Sequence, residues 1–173
     1  TGIGSVTFAG TSNWSGGTMS GLGQTTIGAS GSLAISGIDS STHQLNRVLE
    51  NNGVATWTGN PDVRMNGGTF QNNGSFTAIN NSSLVDFRGI GGTNTFNNAG
   101  SFIKQGTGST RFHTGVAFNN SGTVTIQQGT LGLLSGGTST GDFTIAAGAT
   151  LEMEGAHSFA TTTDVTGAGT LSV

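Results

Sequence analysis

A chain of 173 residues with no cysteine, 8% charged residues and a formal net charge of −3 excludes several classes of protein. Disulfide frameworks and thiolate metal sites are ruled out, five basic residues cannot furnish a phosphate-tracking surface for nucleic acid, and no segment approaches the apolar length of a membrane span. The 32 glycines, the single proline and the excess of Ser, Thr and Asn instead suit one all-β domain with many corners.

The chain opens on a pattern to which it returns. Thr1-Gly2-Ile3-Gly4-Ser5-Val6-Thr7-Phe8 reads small-Gly-x-Gly-hydroxyl-apolar-hydroxyl-apolar, as does Thr166-Gly167-Ala168-Gly169-Thr170-Leu171-Ser172-Val173. Self-similarity at a fixed period is the mark of a repeat architecture. With a small residue as register marker, the repeats fall at Gly4, Gly31, Gly53, Gly74, Gly100, Gly122, Ala149 and Gly169, spaced by 27, 22, 21, 26, 22, 27 and 20 residues. Two residues after the markers stand Val6, Leu33, Ala55, Phe76, Phe102, Val124, Leu151 and Leu171. Four after stand Phe8, Ile35, Trp57, Ala78, Lys104, Ile126, Met153 and Val173, and four before stand Ile27, Leu49, Phe70, Phe96, Phe118, Ile145 and Val165. Apolar groups two residues apart follow the strand period, with alternate side chains facing a core. Lys104 alone breaks the columns, and Ile103 beside it implies a local bulge or register shift.

On the second coil, residues 42–49 carry apolar groups at helical spacing and suit a two-turn helix. The interval after Gly74 displays three short strands: Ser75-Phe76-Thr77-Ala78-Ile79, Ser83-Leu84-Val85-Asp86-Phe87 and Thr93-Asn94-Thr95-Phe96. Asn80-Asn81-Ser82 and Gly89-Ile90-Gly91-Gly92 punctuate them. Strands of one class stacked coil on coil make a parallel β-solenoid. The period is too long and irregular for the left-handed hexapeptide type, and parallel crossovers are right-handed by strong default. The expectation is a right-handed parallel β-helix of about seven coils of 20–27 residues with three short strands each, a rod of roughly 35 Å.

Two residues before the marker come Asn51, Asn72, Asn98 and Asn120, usually with a second Asn beside them. Stacked at one corner, their amides can bond up and down as an asparagine ladder. By the same register the ladder ends at Ala147 and Gly167.

The most polar spot is on the second strand of three coils. Aligning Val63-Arg64-Met65, Val85-Asp86-Phe87 and Thr110-Arg111-Phe112 turns Met65, Phe87 and Phe112 inward and sets Arg64, Asp86 and Arg111 in one outward column of alternating sign. Asn66, Arg88 and His113 fall beside them. This is either a strip that binds sugar or carboxylate or a ladder of paired charges, each lateral pair contributing roughly 0.2–1 kcal/mol. An enzyme is not expected. Glycoside hydrolysis needs two carboxylates on one cleft, and lyases need a base together with acidic groups that hold calcium. Glu152 and Glu154 share a strand face without a basic partner, whereas Asp39, Asp62, Asp86, Asp142 and Asp164 are scattered, and His43, His113 and His157 stand alone. No catalytic residue, metal site or cofactor is expected. Ice binding needs Thr-x-Thr in register, and Thr56-Trp57-Thr58, Thr93-Asn94-Thr95 and Thr123-Val124-Thr125 are expected not to share one outward column. Trp14 reads as an exposed sugar platform in a polar loop, and Trp57 as core.

Phe118-Asn119-Asn120-Ser121-Gly122-Thr123-Val124-Thr125-Ile126 and Gly129-Thr130-Leu131-Gly132-Leu133 resemble the coils of large secreted bacterial repeat proteins, the autotransporter passengers and filamentous-haemagglutinin-like adhesins. The resemblance covers the whole chain in style and supplies no functional motif. It implies a surface-exposed or secreted stalk, fibre or sheath. Bare solenoid ends recruit other strands, and Thr1 and Val173 both fall on core strands. The expectation is therefore a single module over 1–173, an excerpt of a longer array or a stacking subunit. Its main partner is then itself, with an adhesin for glycans or cell-surface partners as the alternative.

Overall fold

A computed structural model describes residues 2–38, 43–81 and 85–173. Thr1, Asp39, Thr42, Ser83 and Leu84, to which the sequence assigns roles, lie outside them. The described residues form parallel strands and no helix. The 42–49 expectation is corrected: His43–Asn51 is a strand. Its apolar residues at helical spacing are divided between two faces of the solenoid, because the strand runs around a corner.

The first face is a sheet of eight parallel strands: Thr11–Trp14, Ser32–Ile35, Val54–Thr58, Ser75–Ile79, Ser101–Gln105, Thr123–Ile126, Asp142–Ile145 and Val165–Gly167. Their registers step by 21, 22, 21, 26, 22, 19 and 22 residues, giving about seven turns. The other two faces belong to one 14-stranded sheet, because Gly17–Ile27 and His43–Asn51 each pass from one face to the other without a break. Beyond them the faces separate. The second continues through Val63–Asn66, Val85–Gly91, Ser109–Phe112, Thr130–Leu133, Thr150–Met153 and Thr170–Ser172. The third continues through Thr69–Asn72, Asn94–Asn98, Val116–Asn120, Gly137–Ser139 and His157–Phe159. Three strands per coil thus holds from the third coil onward.

The marker glycines Gly31, Gly53, Gly74, Gly100 and Gly122 do stack, and the reason is steric. A Cβ at Gly100 would lie far inside van der Waals contact with the Gly74 carbonyl oxygen, and one at Gly122 would meet Gly100 in the same way. Each corner therefore closes on the backbone of the coil before it, as in the bond from Ser101 N to Gly74 O at 2.9 Å. The register at either end is corrected. Gly10 and Gly141, not Gly4 and Ala149, occupy this corner, preceding Thr11 and Asp142. Ala149 and Gly169 precede Thr150 and Thr170 on the second face, and Gly4 leads into Val6–Phe8, which pairs on the third. Leu151 therefore follows Leu131, while Phe143 and Val165 follow Val124. Every corner uses the same small-residue chemistry, so the marker alone cannot tell one corner from another.

The interior is a set of stacked phenylalanine columns. Phe70, Phe96 and Phe118 stack at 4.9 and 5.6 Å, Phe76 and Phe102 at 5.4 Å, and Phe87 and Phe112 at 5.2 Å, all within 13° of parallel. The columns meet edge-on, as Phe96 does Phe102 at 5.7 Å and 88°. Such pairs contribute about 0.5–1.5 kcal/mol each beyond their burial. Trp57 belongs to this core. Trp14, expected as an exposed platform, is buried against the His43 ring at 5.0 Å, because its strand turns it inward above Ile35.

The asparagine ladder is present. Asn51, Asn72 and Asn98 each donate from Nδ2 to Oδ1 of the next Asn at 2.7, 2.7 and 2.8 Å, and also to Ser75 O, Ser101 O and Thr123 O at 3.0 Å. It ends at Ser139, which lies beside Asn120, and not at Ala147 or Gly167. Lys104 causes no bulge: Ser101–Gln105 runs in unbroken register, and Lys104 points inward between Ala78 and Ile126. On the first face, Thr56, Thr77, Thr125, Thr144 and Thr166 do share one column, interrupted by Ile103. Thr93 and Thr95 belong with the third face instead.

Candidate functional site

The outward column expected on the second face is rearranged by a register shift. Val63 lies opposite Phe87, so Arg64 is beside Arg88 and not beside Asp86. Asp86 is flanked by Arg111, and its backbone N–H donates to Asp62 Oδ1 at 3.1 Å. Sequence alignment missed this because Val85–Gly91 is longer than its neighbours and irregular between Gly89 and Gly91. Two columns result, one basic and one of mixed sign. One carries Arg64 and Arg88, with His113 next to Arg88 in the stack through its N–H bond to Phe87 O at 2.8 Å. The other carries Asp62, Asp86, Arg111, Gly132 and Glu152.

Within this patch the strongest contact is local. Arg88 Nη2 reaches Asp86 Oδ2 at 2.6 Å. Asp86 is only 1% exposed and its Oδ1 has no partner. The hydrogen bond to Asp86 holds the Arg88 guanidinium above its ordinary value, against the opposing effect of burial. Arg111 Nε faces Glu152 Oε2 at 3.9 Å across the space left by Gly132. Glu152 therefore has the basic partner that the sequence did not reveal. Asp86 and Glu152 thus each have a basic neighbour, whereas Arg64 lies beside Arg88 without an ion pair among the described residues.

Three other polar groups are structural. Lys104 is fully buried, and its Nζ donates to Gln105 O at 2.7 Å and Gly106 O at 2.8 Å. Burial lowers its pKa from the ordinary 10.5 to about 8. His157 Nε2 lies 2.8 Å from Ser139 Oγ, and burial lowers its pKa. His43 Nε2 lies 3.0 Å from Trp14 O and 3.2 Å from Ser36 O, on the core side of the corner. Among the described residues no three metal-ligating side chains converge, and no helix is long and apolar enough to cross a membrane.

A concave feature of the described surface lies elsewhere, beside the asparagine ladder on the third face. It is a groove of about 390 Å³, and none of its lining residues is charged. Gln71, Asn97, Asn119 and Thr138 form one bank as successive members of an outward column. Ala99, Ser121 and Thr140 form the other, stacked at the corner that follows the ladder. The preceding coils show why it opens where it does. There the corner position holds Asn52 and Asn73, and Asn73 fills the space: its Nδ2 donates to Glu50 Oε1 at 3.1 Å and Asn52 Oδ1 at 2.8 Å, while its Oδ1 accepts from Gln71 Nε2 at 2.8 Å. Replacing that amide by Ala99 and Ser121 removes the filler. The sequence carries the signal in its Asn doublets, which follow the ladder residue at Asn51-Asn52 and Asn72-Asn73 but precede it at Asn97-Asn98 and Asn119-Asn120.

The architecture defines a β-solenoid repeat protein. Comparison with known proteins finds no matching family model, no similar curated sequence and no similar solved structure.

Proposed function

We propose that the chain is a structural segment of an extracellular bacterial fibre, stalk or sheath in which solenoid coils continue end to end. The supporting observation is the unbroken stack of parallel coils: the eight strands of the first face step in register over about seven turns, and the Asn ladder and phenylalanine columns run from coil to coil. Each coil contacts only its neighbours, so a solenoid of this plan lengthens by adding coils of the same polypeptide or of another copy. Leu171 continues the column of Leu131 and Leu151 in the last strand. The stylistic likeness to secreted bacterial repeat coils agrees with a surface location. Sedimentation velocity tests the second route: concentration-dependent end-to-end association is expected, and Leu171→Lys abolishes it. A chain that stays monomeric at every concentration refutes stacking of separate copies.

An adhesin is the second reading, favoured by the uncharged groove on the third face. The Arg64, Asp86 and Arg111 strip lends it less, since Asp86 pairs with Arg88 and Arg111 faces Glu152.

A further inference from the structure

We infer that the groove between the Gln71–Asn97–Asn119 column and the Ala99–Ser121–Thr140 corner is a binding site for a short neutral saccharide. This names a ligand class for the adhesin reading and rests on it. The groove lies on the side of the solenoid, so its failure leaves the end-to-end fibre reading untouched.

The inference rests on which polar groups the groove leaves unused. In the coils above, the amides of Asn52, Asn73 and Gln71 and the Glu50 carboxylate close on one another. Below, that network is cut. Asn119 Nδ2 donates to Asn97 Oδ1 at 3.0 Å, and Asn119 Oδ1 accepts from Thr138 N at 3.1 Å and Thr138 Oγ1 at 3.2 Å, which fixes both amide planes. Among the described residues Asn97 Nδ2 has no partner, nor have Gln71 Oε1 and the hydroxyls of Ser121 and Thr140. A concave site thus offers donors and acceptors side by side, carried on rigid strands and already oriented.

That inventory selects its ligand. With no charged lining residue, the groove cannot pair with phosphate, sulfate or carboxylate. No aromatic ring lines it, so no base has a stacking platform. Its apolar contact comes from Ala99 and the methyl groups of Thr138 and Thr140, too little for a lipid chain. Vicinal hydroxyls, each both donor and acceptor, match fixed amides and hydroxyls. The volume lies at the lower end of the range for small-molecule sites, about 300–1,000 Å³, which suits a short saccharide.

The preceding coils also supply the test variant. Asn is native at this corner in Asn52 and Asn73, so Ala99→Asn with Ser121→Asn refills the groove without asking the backbone for a new conformation. The ¹⁵N-labelled chain is titrated with maltotriose, cellotriose and N,N′-diacetylchitobiose while the side-chain amide resonances of Gln71, Asn97 and Asn119 are followed. At least one saccharide is expected to shift those amides saturably, and the double variant is expected to lose about tenfold or more in affinity, the worth of one to two neutral hydrogen bonds. The far-ultraviolet circular dichroism should stay unchanged. The inference is overturned if none of the three moves these amides, or if the double variant is well folded and binds equally. A sulfated saccharide that instead shifts Arg64, Arg88 and His113 also overturns it.

Discussion

Replacing Lys104 by methionine should stabilise the protein at neutral pH, although it removes two hydrogen bonds. Lys104 is the chain's one lysine and is fully buried. Its ammonium group faces two backbone carbonyls and forms no ion pair among the described residues. Lowering its pKa from 10.5 to about 8 corresponds to roughly 3 kcal/mol against the charged form, at 1.36 kcal/mol per unit. Since the folded pKa lies below the unfolded one, the unfolded chain binds the extra proton between these values, and stability must rise with pH across that window. The penalty is complete below pH 8 and absent above 10.5. Against its removal stands the loss of two donors to Gln105 O and Gly106 O. Gln105 O keeps the N–H of Asn80 at 3.3 Å, so the loss amounts to about 1–2 kcal/mol. Lys104→Met should therefore gain about 1–2 kcal/mol at pH 7 and flatten the pH dependence.

Urea titrations at pH 7, 8.5 and 10 separate these effects unusually cleanly. The chain has neither tyrosine nor cysteine, so among its side chains the ordinary titrations in that window belong to Lys104 alone. A variant less stable than the parent at pH 7 by more than about 1 kcal/mol, or a parent whose stability is flat from pH 8 to 10, would refute the reasoning.

The ladder makes an internal comparison possible. Asn98→Ala removes three ladder bonds, leaving the Asn120 Oδ1 and the Thr123 carbonyl without this donor while Asn72 Nδ2 keeps Ser101 O, and should cost about 3 kcal/mol, whereas Asn120→Ala, at a rung whose Nδ2 has no partner, should cost about half as much by thermal or urea denaturation. Arg88→Gln leaves the buried Asp86 carboxylate without its counter-charge and should destabilise by about 1–3 kcal/mol, with Asp86→Asn in the same chain restoring most of it; an additive double mutant would show the pair to be uncoupled. The threonine column on the first face is broken by Ile103 and continued upward by Ala34, with Asp142 and Asp164 in the adjoining column. No thermal hysteresis or inhibition of ice recrystallisation is expected; either activity, lost on Thr77→Tyr, would contradict that reading.

The alternation of apolar and polar residues, the Gly corners and the Asn column were enough to place the solenoid, its period and its ladder, because each repeats a local steric or hydrogen-bonding need. Register was legible where a corner glycine is followed by the same apolar alternation, even across the 26-residue step from Ser75 to Ser101. Between Gly122 and Gly141 a coil shortens to 19 residues, and chemically similar corners let Ala149 pass for the missing marker. The charged column failed for a related reason, since an irregular strand shifts Arg64 from Asp86 to Arg88. Lys104 read as a break because charge is not expected in a core, yet the carbonyls of its own turn satisfy it. The groove is defined by the absence of an amide at Ala99 and Ser121, which becomes visible only after coils are stacked.

Electron cryomicroscopy of the native material tests the central claim most directly. Unbroken thin filaments are predicted, with strands spaced about 4.7–4.9 Å along the axis and density running through the last coil, Val165–Gly167 and Thr170–Ser172, into a further parallel coil. Discrete particles whose apolar end coils are closed by ordered caps would contradict it.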